Sequence, residues 1–483
     1  MEWLAAPDYW LASWLFERLL AAIYVVAFLN AAQQFPALLG ENGLLPAPRL
    51  LAAAHFRELP SLFHLHYSDR FVRALAYSCA LIAVALLMGL PQSGPTWMAM
   101  ATWFVLWAAY LSIVNVGQTF YAFGWESLLL ETGFLAIFLG NATLPPPTPI
   151  LWLLRWLLFR MEFGAGMIKI RHDPCWRDLT CLYYHHETQP LPNPLSWYFH
   201  HLPKWMHRME VRGNHVFQLV VPFGLFLPQP VAGIAALLIV IHQLWLILSG
   251  NFAWLNWLTL AVAVVAFDNT ELHLVLPLTI PPSEAAPLAY TVMLIASTLL
   301  LLVMSYWPAR NLLRREQAMN STYNPLHLVN SYGAFGSITR ERNELAVEGT
   351  LDREVTPQTV WQEYAFKAKP GDPARWPAQV APYHLRLDWL MWFAALSPAY
   401  AEAWLMPLVV KLLENDRPTL RLLRHAPFPD VRPEYIRISL YRYRFTTPRE
   451  RRESRECWVR RRVGTYLAPV RLTPMPPQLV TSN

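Results

Sequence analysis

Lys169 closes an apolar stretch, and seven of the chain's fifteen histidines follow it within residues 172–215: His172, His185, His186, His200, His201, His207 and His215. Four of these form two adjacent pairs, and Glu187 follows the first. A lysine deprived of water at a helix end works as a general base, with His185 or His186 and Glu187 as its proton relay. Histidines also hold zinc, but a zinc site needs three or four ligands at helical or turn spacing, as in H-E-x-x-H or C-x-x-C. The run His185-His186-Glu187 has no second histidine four residues on, and five residues separate Cys175 from Cys181. The spacing therefore predicts no metal and no cofactor. The two cysteines allow a bridge without requiring one, and as a reactive pair they would exchange thiols with a partner. The chain has neither a G-x-S-x-G nucleophile turn nor a Gly-rich phosphate loop beside a strand.

A second charged set lies inside apolar stretches. Arg155, Glu162 and Lys169 recur every seven residues, which places them within about 40° on one face of a helix. Glu126 and Glu131, in "WESLLLETGFLAIF", are the natural counter-ions for Arg155 or Arg160. A charge at a bilayer centre costs about 2.5–3.5 kcal/mol on insertion scales, so all six are expected to face protein. They would form buried ion pairs that fix how two helices pack, unless Lys169 does chemistry.

Elements that could position these residues follow from composition. Of 483 residues, 55% are hydrophobic and 15% charged, against about 25% charged in an ordinary soluble protein. A bilayer-spanning helix needs about 20 mostly apolar residues. That ruler gives nine candidate spans, near 10–32, 71–90, 97–115, 121–140, 150–169, 214–229, 231–249, 252–267 and 287–307, the sixth and eighth short enough to be tilted or re-entrant. The expected fold is a membrane all-α multi-pass helical bundle of about 8–9 transmembrane helices over residues 1–307, followed by a soluble α+β domain with antiparallel strands over residues 308–483. Charge divides at the same place: residues 1–307 hold 13 Lys+Arg against 16 Asp+Glu, and residues 308–483 hold 26 against 17. The first helix, around Glu17 and Arg18, has no basic segment before it and no small-residue cleavage pattern behind it, so it is expected to be retained.

Lys and Arg in short loops collect on the cytoplasmic side. With nine helices, loops 33–70 and 170–213 and the segment opening "RNLLRREQ" fall on one face, while loops 91–96, 141–149 and 268–286, without Lys or Arg, fall on the other. The His-rich loop and the C-terminal domain are then expected on one face, within reach of each other. In "TQPLPNPLSWYFHHLPKW" the prolines fix φ and force their neighbours extended, excluding helix before Leu195. Trp197, Tyr198, Trp205 and "KWMHRMEVR" read as an interfacial amphipathic piece, either a rigid cap on the bundle or a surface for a partner.

In the C-terminal domain "ELAVEGTL" and "WQEYAFK" read as short strands. "YIRISLYRYRF" reads as a strand whose apolar face switches from Ile436, Ile438 and Leu440 to Tyr441, Tyr443 and Phe445, as a bulge near Leu440 would make it do. "DWLMWFAAL" and "WLMPLVVKLLEN" read as helices. The basic run "TPRERRESRECWVRRR" lacks a nucleic-acid-binding signature, so it is expected to face anionic lipid or water. The tail "LTPMPPQLVTSN" is expected to fray.

The block "RMEFGAGMIKIRHDPCWRDLTCLYYHHETQPLPNPLSWYFHHLP" resembles the signature of the lipase maturation factor family. Further matching segments follow in order: "ENGLLPA" (41–47), "WESLLLETGFLAIF" (125–138), "NSYGAF" (330–335), "PYHLRLDWLMWFAAL" (382–396) and "PEYIRISLYRYRF" (433–445). The resemblance spans nearly the whole chain. It implies a multi-pass membrane protein that assists folding and assembly of secreted proteins such as lipases, a chaperone-like maturation factor rather than a lipase itself. Its partners would be the bilayer and those clients, with no nucleic acid. Its place would be the endoplasmic reticulum membrane of a eukaryote or the cytoplasmic (inner) membrane of a bacterium. Trp176, Asp178, Gln189, Trp197, Tyr198, Asp388, Trp389 and Trp392 are the expected client-contact or scaffold residues. The membrane half is also distantly similar to the vitamin K-dependent carboxylase type of membrane domain, which implies as alternative an embedded enzyme using Lys169 with His185 or His186 and Glu187. A maturation role places the C-terminal domain in the lumen or periplasm and the basic loops place it in the cytoplasm; the sequence leaves both open, and it sets no oligomeric state.

Overall fold

Thirty residues without a glycine form helix α1, Trp10–Leu39, in the computed structural model, which describes residues 4–472. Helix α2, Asp69–Leu87, starts at Ser68, whose hydroxyl accepts from the Phe71 amide as an N-cap. Helices α3, Thr96–Asn115, and α5, Thr148–Arg171, begin just after Pro95 and Pro147, where the fixed φ leads the chain into a turn. Between them lies α4, Gly124–Ala136. Besides shorter helical turns, the helical half continues with the short α6, Leu182–Thr188, then α7, Lys204–Leu219, α8, Val231–Ser249, α9, Leu255–Ala263, and α10, Leu288–Met304.

Among the described residues, five stretches are long and apolar enough to cross a membrane: Pro7–Leu39, Asp69–Leu87, Thr96–Asn115, Val231–Ser249 and Leu288–Leu313. In the last, only 28% of the most apolar window is buried, and Leu288, Val292, Leu299 and Val303 are exposed. An apolar face of that extent suits a helix with hydrocarbon around it. The other four expected spans differ for separate reasons. Span 121–140 shrinks to the 13 residues of α4, about 20 Å against the roughly 30 Å of a bilayer core. Span 150–169 is α5, which at 24 residues is long enough but carries Arg155, Arg160, Glu162 and Lys169. Span 214–229 is not one helix: α7 ends at Leu219, and Pro222, which has no N–H, falls in a 3-10 segment at Val221–Phe226. Span 252–267 is α9 continued by a 3-10 turn, Val264–Ala266.

The C-terminal half adds strands β1, Arg342–Thr350, and β2, Gln362–Glu363, helices α11, Arg386–Leu396, and α12, Leu405–Leu413, strand β3, Tyr435–Phe445, helix α13, Pro448–Ser454, and strand β4, Trp458–Val470. The sheet order is β2-β1-β3-β4, with every pairing antiparallel. Leu345 faces Leu440, and the β3–β4 register shifts between Leu440 and Tyr441, where the sequence places a bulge. The basic run takes regular structure: Thr447 and Glu450 form a capping box that starts α13, and "WVRRRVGTYLAPV" forms edge strand β4, with Arg461 and Arg462 exposed. Arginines on an edge strand discourage pairing with other chains. The tail from residue 473 lies outside the described residues.

One apolar core runs through both halves, from Phe16 and Leu39 of α1 to Leu345, Trp389 and Ile438. At one end of the bundle Trp10 Nε1 donates to Ala142 O at 2.9 Å, Gln229 Nε2 to Ala266 O at 2.8 Å and Tyr290 Oη to Phe138 O at 2.8 Å. At the other end Asn30 Nδ2 donates to His384 O at 2.7 Å and Trp392 Nε1 to Thr188 O at 3.0 Å. Gly164 lets the segment after Asn330 pass close to α5: a Cβ there would lie 2.6 Å from Tyr332 O.

Candidate functional site

A cavity of about 1040 Å³ opens between α5, α6, α7, α8, the segment 332–337 and α11. One side is polar because of helical spacing. Glu162 and Lys169, two turns apart on α5, both point into it, opposite Asn214 and Gln218 of α7 and His242 and Gln243 of α8. Lys169 Nζ donates to Asn214 Oδ1 at 3.0 Å and to Gln218 Oε1 at 2.8 Å, and lies 4.9 Å from the Trp176 ring centre. Gln218 Nε2 donates to Glu162 Oε2 at 3.2 Å and Gln243 Nε2 to Glu162 Oε1 at 2.6 Å. Gln218 therefore bridges the two charges, and the network satisfies a cation and an anion that are both buried.

His185, His186, Trp176, Trp389 and Trp392 also line this cavity. Burial, with the Lys169 charge added, pushes the His185 imidazole down to about 3. Burial and the neighbouring histidines hold His186 well below the usual range, and burial brings His200 down to about 4. All three rings are neutral at physiological pH. Glu187 does not join Lys169. Its Oε2 accepts from the Phe445 amide of β3 at 2.7 Å and lies 3.6 Å from His200 Nε2, and burial pushes its carboxyl up.

One of the expected ion pairs forms and the others do not. Arg160 pairs with Glu131, whose Oε2 also accepts from Tyr332 Oη at 2.7 Å and the Asn330 amide at 3.0 Å. Glu126 pairs with no arginine of α5. Its Oε1 takes Arg386 Nη1 at 2.7 Å, while Tyr110 donates to its Oε2. Arg155 leaves the polar stripe: its Nη1 donates to Leu225 O at 3.3 Å and its guanidinium stacks 5.0 Å over the Tyr9 ring. Proximity along one helix face does not choose the partner here, because the competing charge comes from the other half of the chain.

Loop 170–213 is bonded to the C-terminal domain along its length. Arg342 of β1 donates to the carbonyls of Glu187, Gln189 and Pro190 at 2.8, 2.5 and 3.0 Å, closing the C-terminal end of α6. Trp197 Nε1 donates to Thr446 O at 2.9 Å and Trp376 Nε1 to Pro194 O at 3.1 Å. Arg451 stacks over Trp197 at 4.6 Å, Tyr198 at 5.5 Å and Trp376 at 4.3 Å. Gln189 Nε2 donates to Ser249 O at 2.9 Å, and Trp176 Nε1 to Phe335 O at 2.9 Å. Asp388 is buried; its Oδ1 accepts from the amides of Ala368 and Lys369 at 2.6 and 3.1 Å, and burial pushes its carboxyl up. Of the eight expected contact or scaffold residues, Tyr198 and Asp178 are exposed, Trp392 is half-buried, and Trp176, Gln189, Trp197, Asp388 and Trp389 are buried. Cys175 and Cys181 form a disulfide beside Trp176, Val211 and Ile338.

Sequence reading misses Asn30, Gln34, Asn251, Arg342, His384 and Arg386. Gln34 Nε2 holds His384 O at 2.8 Å, and Asn251 Oδ1 accepts from the amides of Val380 and Ala381 at 2.8 and 2.9 Å. One signal existed: Asn30 and Gln34, four apart on the uncharged stretch of α1 beyond Arg18, mark a polar face that must meet a partner.

Comparison with known proteins covers both halves. Residues 11–274 match the family model for the lipase maturation factor transmembrane domain and residues 328–468 match that for the lipase maturation factor C-terminal domain. The chain is 42% identical to lipase maturation factor 1 of Bos taurus, over 97% of this chain and 90% of that protein. It is 40% identical to lipase maturation factor 1 of Homo sapiens, over 97% and 89% respectively. With lipase maturation factor 2 of Homo sapiens the identity is 30%, over 95% and 82%. No solved structure matches the chain.

Proposed function

The chain belongs to the lipase maturation factor family, and from that membership we propose that it assists the folding of secreted lipases as a membrane-anchored binding platform, without catalysing a reaction. The observation that carries this reading is the bonding of loop 170–213 to the sheet domain through Arg342, Trp197 and Glu187. These pieces form one stiff surface, with Tyr198 and Asp178 among its exposed residues. A platform that binds non-native chains and releases native ones shifts folding by mass action. The test is co-expression of the full-length chain with a secreted lipase in cells lacking their own maturation factor. Active lipase in the medium should rise per unit of lipase protein; no rise at normal membrane levels sinks the proposal.

The domain boundary near residue 307 and the finer membrane topology belong to this proposal. Nine segments traverse the bundle, the short α4, α9 and the α7 to Phe226 segment lying among the longer helices. The separate bonding of the two bundle ends supports that count. It leaves loop 170–213 and the C-terminal domain on one face. The Cys175–Cys181 disulfide lies on that face, and disulfides persist in oxidising compartments, so the face is lumenal in an endoplasmic reticulum membrane or periplasmic in a bacterial inner membrane. Labelling of introduced surface cysteines in sealed vesicles decides it: reaction from the cytoplasmic side overturns the orientation.

The cavity favours one second reading, an embedded enzyme using Lys169 with His185 or His186, because all three line the same space. Lys169→Met separates the readings. A folded variant that still matures lipase supports the platform, and loss of activity at full expression supports chemistry.

A further inference from the structure

Beside the cavity, α6 and α7 bring together three side chains that can ligate a metal. One ligand atom each from His186, His207 and Glu210 lies within 4.8 Å of the other two. His186 is 2% exposed, and neither of its ring nitrogens has a hydrogen-bond partner. A buried polar group left unsatisfied costs about 1–3 kcal/mol, and native proteins tolerate it where a bound ion or water completes the bonding.

His207 and Glu210 stand three residues apart on α7, with His207 Nδ1 3.0 Å from Glu210 Oε2. Two ligands each about 2.0 Å from a tetrahedral ion stand about 3.3 Å from one another, so this pair is already near that spacing. The outer atoms are held as those of metal ligands are. His207 Nε2 lies 3.3 Å from His200 O, so that Nδ1 is the nitrogen turned to Glu210 Oε2, and Glu210 Oε1 accepts from Trp245 Nε1 at 3.0 Å.

We propose that His186, His207 and Glu210 bind a divalent transition-metal ion of the zinc class. Two imidazoles and one carboxylate suit zinc and disfavour magnesium and calcium, which take oxygen ligands. Three protein ligands leave a fourth position, and because His186 and Glu210 line the cavity that position is filled from it. Such an ion would pin α6 to α7 and so hold the loop beneath the sheet domain.

The experiment uses tag-free full-length protein in detergent, stripped with chelator and then titrated with zinc, with metal content measured after desalting and cobalt(II) as a spectroscopic probe. The expected result is about one zinc per chain, visible bands from tetrahedral cobalt, and a raised Tm on zinc addition. Glu210→Gln, which keeps the shape of the side chain, and His186→Gln should each weaken zinc binding by at least about 100-fold, while His201→Gln should not. Size-exclusion profiles matching wild type show that the variants are folded. Less than about a tenth of an equivalent in the wild type, or undiminished binding in folded Glu210→Gln, overturns the site.

Discussion

Arg386 Nη1 lies 2.7 Å from Glu126 Oε1 with both side chains fully buried, so a charge on the C-terminal domain is neutralised by one at the head of a bundle helix. Arg386 Nε also donates to Asn30 Oδ1 at 3.0 Å. Removing one member of such a pair strands the other in a low-dielectric site, at a cost of about 3–5 kcal/mol. Arg386→Met should therefore lower the unfolding midpoint in detergent by many degrees, and Glu126→Gln with Arg386→Met should cost less than the two single changes summed. Arg449→Ala, at an exposed ion pair, should cost about 0–1 kcal/mol. Equal melting of Arg386→Met and Arg449→Ala would show that the two halves are not coupled here.

Arg342 donates in three directions to the carbonyls that end α6, and its Nε donates to Glu344 at 2.9 Å. A lysine keeps the charge but not the planar fork. Arg342→Lys should loosen residues 188–196 without unfolding the helices: proteolysis of the loop speeds up and lipase recovery falls several-fold, while far-UV helicity is unchanged. Wild-type protease resistance in that variant would remove Arg342 as the clamp.

Much of this was legible in the chain. Helices α1, α2, α3, α8 and α10 announce themselves because hydrocarbon imposes a length and a polarity that a sequence must carry openly. Strand β3, with its bulge at Leu440, announces itself because an apolar face that changes sides has few other physical causes. The partners of buried charges were less legible. Glu126 and Arg386 are separated by 260 positions, and helical periodicity carries no information over that distance. Strand β4 was hidden because its arginines read as solvated charge, which is what an exposed edge strand also requires. The cavity was half legible: seven-residue spacing put Glu162 and Lys169 together, but nothing local revealed Gln218 as the bridge between them.

Stability should fall with acid in a window set by the histidines of the loop. An unfolded histidine takes a proton below its ordinary value of 6.5, whereas native His185 resists protonation down to about 3 and His200 down to about 4. Their stabilising contribution is thus complete above pH 6.5 and is lost as pH falls from there toward 3–4. In that window each such group tilts the unfolding free energy by about 1.4 kcal/mol per pH unit. Melting in detergent with chelator present should show a Tm falling steadily below pH 6.5, with a shallower slope in His185→Gln. A slope unchanged by that substitution would locate the titrating group elsewhere.

The Cys175–Cys181 bridge is buried, at 3% and 0% exposure, and packs with Trp176, whose ring in turn lies over Lys169. Burial withholds it from a partner's thiolate, and thiol exchange requires direct attack on a sulfur. The bridge is therefore expected to be structural. Its sequence separation of six residues corresponds to about 2 kcal/mol of stabilisation on chain-entropy grounds. Cys175→Ser with Cys181→Ser should lower Tm by a few degrees and leave lipase recovery close to wild type once expression is matched. Loss of recovery in a protein that still melts cooperatively would mean that the sulfurs themselves act on the client, and the platform would then be a redox device.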